Sequence, residues 1–292
     1  MITFPLSISS QATEVKILKQ TTQKDESKFL ILFVKSGRIA EFGAFHYNGR
    51  DHICVSCQTG CAMGCRFCAT GTLCFSQVEN LAWEEIVAAT KLVKEISFPT
   101  SFDVVASFMG QGEPTSNPIQ VARAMYAIAD EFHLALSTIG RIEPLKRLQT
   151  QFKIYELTPD MQISLHYIER RKRELYMPGT KGQITSEVFR LLENYAEEYE
   201  TKIRVNYVPF KGINDSQEEM EKLAKFISSH PNFYLKLGEA NPFYNPHYKM
   251  WFLPSKKNCY EILRNKIPVK KFHSQGSALW IGCGQMIALP VD

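Results

Sequence analysis

The 292-residue chain has no run of 18 uncharged apolar residues, which excludes a spanning helix of the usual kind. Its first residues, MITFPLSISSQATEVK, lack a basic stretch followed by an apolar one, so no secretory signal is expected. Internal repeats and low-complexity segments are missing too, which argues against solenoid and linker-rich architectures. Neither sign of charge dominates: 34 Lys and Arg face 30 Asp and Glu, a net charge of +4. That balance permits an anionic partner without requiring one. What the chain does not lack is cysteine. Eight cysteines without a signal peptide are expected in a reducing cytoplasm, in metal-binding or catalytic roles. With 45% apolar residues, the chain can bury a large core in one or two domains.

Three of the cysteines, Cys61, Cys65 and Cys68, are spaced C-x3-C-x2-C ahead of a helix-forming run. Three thiolates on a short loop can hold three irons of a [4Fe–4S] cluster and leave the fourth iron open. Gly60 and Gly64 allow the tight turns that aim neighbouring thiols at one centre. The alternative is zinc, because Cys54, Cys57, Cys65 and Cys68 form two C-x2-C pairs. Structural zinc sites separate such pairs by roughly 12–20 residues, whereas seven positions intervene here.

Beyond the cysteines, strand and helix patterns alternate. Helices are expected at Asn80–Ile96, Ile119–Phe132, Glu143–Gln151, Ser186–Tyr199, Ser216–Ser228 (capped by Asp215-Ser216) and Ser255–Lys266, with Ser255 as cap. Strands are expected at Phe102–Met109, Leu134–Ile139, Met161–His166, Lys202–Pro209, Phe233–Leu237 and within Ala278–Leu289. Such alternation implies a parallel sheet with right-handed crossovers. About six units point to an α/β fold, a partial open (β/α)6 barrel over residues 51–292, with functional groups at the C-terminal strand ends. Residues 1–50 read as a β extension, with a hairpin of Lys28–Val34 and Arg38–Phe45 around Ser36-Gly37.

The C-x3-C-x2-C spacing resembles the signature of the radical S-adenosylmethionine (SAM) enzymes. The match then narrows. GRIAEFGAF (37–45), CVSCQTGCAMGCRFCATG (54–71), MGQGEP (109–114), LSTIG (136–140), ISLHY (163–167), GIND (212–215), ANPF (240–243) and CGQ (283–285) occur in order. Together they resemble the adenosine C2/C8 RNA methyltransferases of that superfamily, the methyl-synthase group. This resemblance implies a [4Fe–4S] cluster on Cys61, Cys65 and Cys68. It implies a SAM site built from Gly112, Glu113, Ser137, Ser164, Leu165, His166 and Asn241. Cys283 matches the cysteine that is methylated, and Cys54 the one that resolves the product linkage and leaves a disulfide with Cys283. Glu41, thirteen positions ahead of Cys54, matches the proton acceptor.

Taken alone, these residues have plainer readings. Glu113 reads as a loop acid, His166 as a structural histidine, Asn241 as a turn residue, Cys283 as a buried hydrophobe and Glu41 as a solvated strand residue. Cys57 stands where the family has serine, and Cys74 and Cys259 read as structural. The family's helical RNA-binding module before the barrel is expected to be missing or reduced to the hairpin. The partners implied are RNA and a reductant such as flavodoxin or ferredoxin, with no membrane. The same chemistry on a small molecule is the alternative, and a non-catalytic metal-binding module is a third reading. Lys256-Lys257, Lys270-Lys271 and Arg170–Arg173 are candidates for phosphate contact or solvated faces. Tyr244, Tyr248, Trp251 and Phe252 are candidates for stacking on a base.

Overall fold

The structure is a computed structural model that describes residues 15–22, 28–33, 39–72 and 78–272. Cys74, Cys283 and the strand expected within Ala278–Leu289 lie outside the described residues, as does the Ser36-Gly37 turn. Three strands open the chain: β1 (Lys16–Thr22), β2 (Lys28–Phe33) and β3 (Ile39–Tyr47). They pair antiparallel in sequence order, and β3 pairs antiparallel with β4 (Arg50–Val55). The expected hairpin is therefore present, with one further strand outside it that the sequence pattern did not mark.

From β4 the chain alternates: α1 (Trp83–Ser97), β5 (Val104–Phe108), α2 (Pro118–Ile128), β6 (His133–Thr138), α3 (Ile142–Ile154), β7 (Asp160–Ser164), α4 (Arg170–Tyr176), α5 (Thr185–Glu198), β8 (Ile203–Tyr207), α6 (Gln217–Ser228) and β9 (Phe233–Gly238). A small hairpin, β10 (Phe243–Asn245) with β11 (Met250–Phe252), precedes α7 (Cys259–Leu263) and β12 (Val269–Phe272). Strands β4 to β9 and then β12 pair in parallel, each with the next. The sheet curls: Tyr47 on β3 and Phe272 on β12 pack ring against ring at 4.8 Å, although six strands separate β3 from β12 in the sheet. No ladder joins β12 to β1 or β3 among the described residues, so the barrel is open. Six β/α units and a seventh parallel strand form it, as the alternation implies.

Amphipathic faces explain the packing. On α1, Ile86, Ala89 and Val93 are buried against the sheet, at the i, i+3, i+7 spacing of one helix face. On β4, Ile53 and Val55 are buried in the helix-covered core, while His52 faces the barrel interior. Ser216 caps α6 by accepting from the Glu219 N–H, as expected. The last helix differs. It begins at Cys259 and is capped by Asn258, not Ser255. The Ser255 hydroxyl instead donates to the Asp215 carboxylate at 2.7 Å and accepts from Lys257 N, so it is committed elsewhere. Among the described residues no helix is long and apolar enough to cross a membrane.

Asn214 stitches the strand ends. Its amide donates to the carbonyls of His166 (2.8 Å) and Val208 (3.0 Å), and its oxygen accepts from Phe210 N (2.6 Å). The side chain is fully buried. Asn214→Ala leaves these backbone groups without partners and is expected to cost about 2–4 kcal/mol. Urea unfolding measures it, and a loss under about 0.5 kcal/mol, the range of neutral surface changes, would contradict this role.

Candidate active site

The loop after β4 carries the three spaced cysteines and is held by backbone bonds. Cys57 N and Gln58 N donate to Gln111 O, Cys68 N to Cys65 O, and Gly71 N to Cys68 O. A Cβ on Gly71 would lie 2.6 Å from Cys65 O, so only glycine permits this close fold. Burial, with a smaller push from its neighbour Cys68, raises the Cys61 thiol to about 12 against a backbone hydrogen bond from Met63. Burial and the charges of Cys61 and Cys68 raise Cys65 well above its ordinary value. Burial is thus the main reason these thiols resist ionisation, and Cys61 and Cys68 stand close enough to add to it at their neighbours. No three His, Cys, Asp or Glu groups among the described residues converge as one metal ion requires. Cys57, although near enough to Cys61 to feel its charge, has its buried thiol committed to Gln111 O and packed in the core. Cys259 is buried as well, as its helix context implied.

The 109–114 turn follows β5 and lies against this loop. Gly112 has φ +104, and a Cβ there would meet Gln58 at 2.7 Å. Gln58 Oε1 in turn accepts from Glu113 N at 2.9 Å. The Glu113 carboxylate is buried and accepts from Thr115 Oγ1 (2.8 Å), Thr115 N (3.2 Å), Ile139 N (3.0 Å) and Thr138 Oγ1. Burial raises its pKa while these donors lower it. Glu113 is thus no solvated loop acid: it ties the β5 turn to the end of β6.

Ser137 and Ser164 occupy the neighbouring ends of β6 and β7, their hydroxyls 3.4 Å apart, and Gln162 Nε2 donates to Ser137 Oγ at 3.0 Å. Leu165 is buried, and His166 follows with φ +50. The His166 ring accepts at Nδ1 from Val208 N (3.1 Å), and burial, then Arg173, hold its pKa down to about 3. The imidazole is therefore neutral. Asn241 follows β9, and both its side-chain polar atoms are shielded from solvent without a partner among the described residues. Such orphaned groups are costly unless a ligand completes them.

Two contributors carry no recognisable mark in the sequence. Gln162 sits inside a strand without a motif. Arg173 looked like part of a basic surface run, yet it is 4% exposed. Its guanidinium donates to the carbonyls of Ile139 (2.6 Å), Ser164 (3.1 Å) and Leu165. Arg173 thus binds strand ends, not phosphate. Lys257 pairs with Asp215, and Arg170 with Glu174. Of the aromatic residues, Phe252 is buried in a cluster with Phe210 and Phe67, whereas Tyr244, Tyr248 and Trp251 are exposed. Arg66, from the cysteine loop, stacks on Tyr248 at 3.9 Å.

Cys54 lies on β4 with Gly43 as its partner on β3. Glu41, two residues from Gly43, therefore shares its face of the sheet. Backbone anchors fix Glu41: its N–H donates to Gln111 Oε1 (2.8 Å), and its carbonyl accepts from Ser56 Oγ (2.5 Å). The side chain is buried, so it is not the solvated strand residue. Burial, then Glu41, push the Cys54 thiol up to about 12, with Lys236 opposing them. Glu41→Gln removes one of the two upward influences. The expected result is a lower Cys54 pKa, a larger thiolate fraction at fixed pH and faster alkylation by iodoacetamide, read at Cys54 by peptide mass spectrometry. An unchanged rate between pH 7 and 9 would show that the two groups do not interact.

The profile of the radical SAM superfamily matches residues 55–227, more than half of the chain. A probable dual-specificity RNA methyltransferase RlmN of Aquifex aeolicus is 31% identical over 281 residues, covering 92% of this chain and 78% of the relative. A ribosomal RNA large subunit methyltransferase Cfr of Shouchella clausii is 28% identical and covers 93% of this chain and 79% of its own. A crystal structure of a radical SAM methyltransferase from Sphaerobacter thermophilus superposes with a TM-score of 0.80 at 25% identity, over 93% of this chain and 80% of that one. With its open barrel, three-cysteine loop and polar strand ends, the chain belongs to the radical SAM superfamily and, within it, to the RlmN/Cfr methyltransferase family.

Proposed function

We propose that the protein is a radical SAM methyltransferase that places a methyl group on an sp2 carbon of adenosine in RNA, by way of a methylated cysteine. The observation that carries this reading is the Cys54–Glu41 pair standing in the barrel beside the three-cysteine loop, in a chain whose relatives are named RNA methyltransferases. A plain electron-transfer module has no use for such a thiol.

The donor sets fit the two groups that the family uses. Cys61, Cys65 and Cys68 would hold a [4Fe–4S] cluster, since their crowded thiols gain from shared coordination. Gly112, Glu113, Ser137, Ser164, Leu165, His166 and Asn241 would hold SAM, and the unpartnered amide of Asn241 is the group most in need of it. When bound, the pair supplies one-electron chemistry that side chains lack. The protein's residues do the rest. Cys283 carries the methyl group. In the adduct a methylene group joins the Cys283 sulfur to the base. Cys54 gives up its proton and attacks that sulfur, the S–C bond breaks as the Cys54–Cys283 disulfide forms, and the departing carbon takes up a proton to leave as the methyl group of the base. Glu41 accepts a proton beside it. A reductant such as flavodoxin or ferredoxin returns the thiols and the cluster to their reduced forms.

Anaerobic reconstitution should give about four irons per chain. Replacing any one of Cys61, Cys65 or Cys68 with Ala should abolish the iron–sulfur absorption, while Cys57→Ala retains it. Zinc in place of iron, in protein from iron-replete cells, would remove the cluster from this account. Cys54→Ala should trap a covalent adduct between RNA and Cys283, because the resolving thiol is gone. Full turnover by both Cys54→Ala and Cys283→Ala would exclude the methylated-cysteine route.

A further inference from the structure

At the opposite end of the barrel, the first residues of the strands enclose a second cavity of about 390 Å³. Its walls bring together Arg50 and His52 of β4, Arg204 of β8, Lys236 of β9 and Lys270 of β12, with Asp160 of β7. The carboxylates nearby are spoken for. Asp160 pairs with Arg204, and Asp103 pairs with Arg50 (3.0 Å) and His133 (3.1 Å). Lys236 stands apart. It is 8% exposed, and no described residue offers its ammonium a carboxylate or a hydrogen-bond acceptor. It lies 3.7 Å from the Phe272 ring centroid and 5.6 Å from that of Tyr47. Those rings soften the charge without neutralising it.

A largely buried lysine without an anionic partner is costly. Burial, and then Arg204, hold the Lys236 pKa down to about 8. Burial, followed by Lys236, holds His52 at about 4, so the imidazole is neutral. This end of a barrel ordinarily serves stability, and an uncompensated cation does not. Lys270 pairs with Lys236 across the β9–β12 ladder, so two lysines present themselves on neighbouring strands. The lumen continues upward past Ser107, Ser137 and Gln162, towards the polar strand ends described above.

We propose that this lower mouth is a phosphate-binding site, with Lys236 as its central group and Lys270 and Arg204 beside it. The phosphate belongs either to RNA threaded to the barrel or to a free nucleotide. Assigning it to the substrate rests on the RNA-modifying reading above, but phosphate binding itself does not. Lysine at such a site acts as a point charge on phosphate oxygens, and each phosphate contact adds to the salt dependence of binding.

The test uses the full chain with its cluster and no SAM, so that it is independent of turnover. Inorganic phosphate, AMP and a seven-nucleotide adenosine-containing RNA are titrated calorimetrically at several salt concentrations. The wild type should bind AMP and the RNA. Lys236→Met should weaken both at least about tenfold and reduce the RNA salt slope by about one, while Lys236→Arg restores most of the affinity. RNA binding much tighter than AMP identifies RNA as the source; equal affinity identifies a free nucleotide. In parallel, AMP should protect Lys236 of the wild type from reductive dimethylation, which needs no variant to fold. Wild-type affinities in Lys236→Met, absence of binding by the wild type, or equal labelling of Lys236 with and without AMP would each overturn the site.

Discussion

The upper end of this barrel hangs on one buried guanidinium. Arg173 reaches from α4 under the ends of β6 and β7 and donates to three backbone carbonyls there. A strand end in a parallel barrel exposes carbonyls that the next ladder no longer satisfies, and a planar cation with several donors suits a cluster of them. Its cost is visible in its own ionisation, since burial pulls the Arg173 pKa down to about 10. Glu113 does the complementary work with acceptors, collecting N–H and hydroxyl donors from the β5 turn and β6. Asn214 adds β7, β8 and the loop after β8. These three polar side chains set the spacing of Ser137, Ser164 and His166, so groups far apart in sequence face a common space.

Electrostatics divides the interior into two regions. Around the cysteine loop, the carboxylates of Glu41 and Glu113 add to burial in raising the pKa values of the thiols. Around β8, β9 and β12, Lys236 and Lys270 stand beside the Arg204–Asp160 ion pair and leave an excess of positive charge. Cys54 lies between them, with Glu41 raising and Lys236 lowering its pKa. A molecule with a cationic end and an anionic end meets an ordered field along such a barrel.

Much of the architecture was legible in the sequence because parallel strands and their covering helices leave strong periodic patterns. The segments from Phe102 to Ser228 fall within a few residues of their observed bounds for that reason. Short elements were not legible. The β10–β11 hairpin, α4 and β12 span three to seven residues each, too few for a period to register. The last helix was overextended because Ser255 looks like a cap, and only the structure shows its hydroxyl committed to Asp215. At the site, the cysteine spacing and strand-end residues carried recognisable text. Arg173 and Lys236 did not, since a buried cation and a surface cation are the same letter. Cys283, on which the family resemblance places the methyl group, lies outside the described residues.

The central claim is that methyl transfer ends on adenosine in RNA. It is tested most directly by giving the reconstituted, reduced enzyme SAM with an isotopically labelled methyl group and total RNA, then digesting the RNA to nucleosides for mass spectrometry. The account predicts label on the adenine ring carbons of a methyladenosine, and none with Cys283→Ala. Label confined to small metabolites, with RNA nucleosides unlabelled, would contradict it.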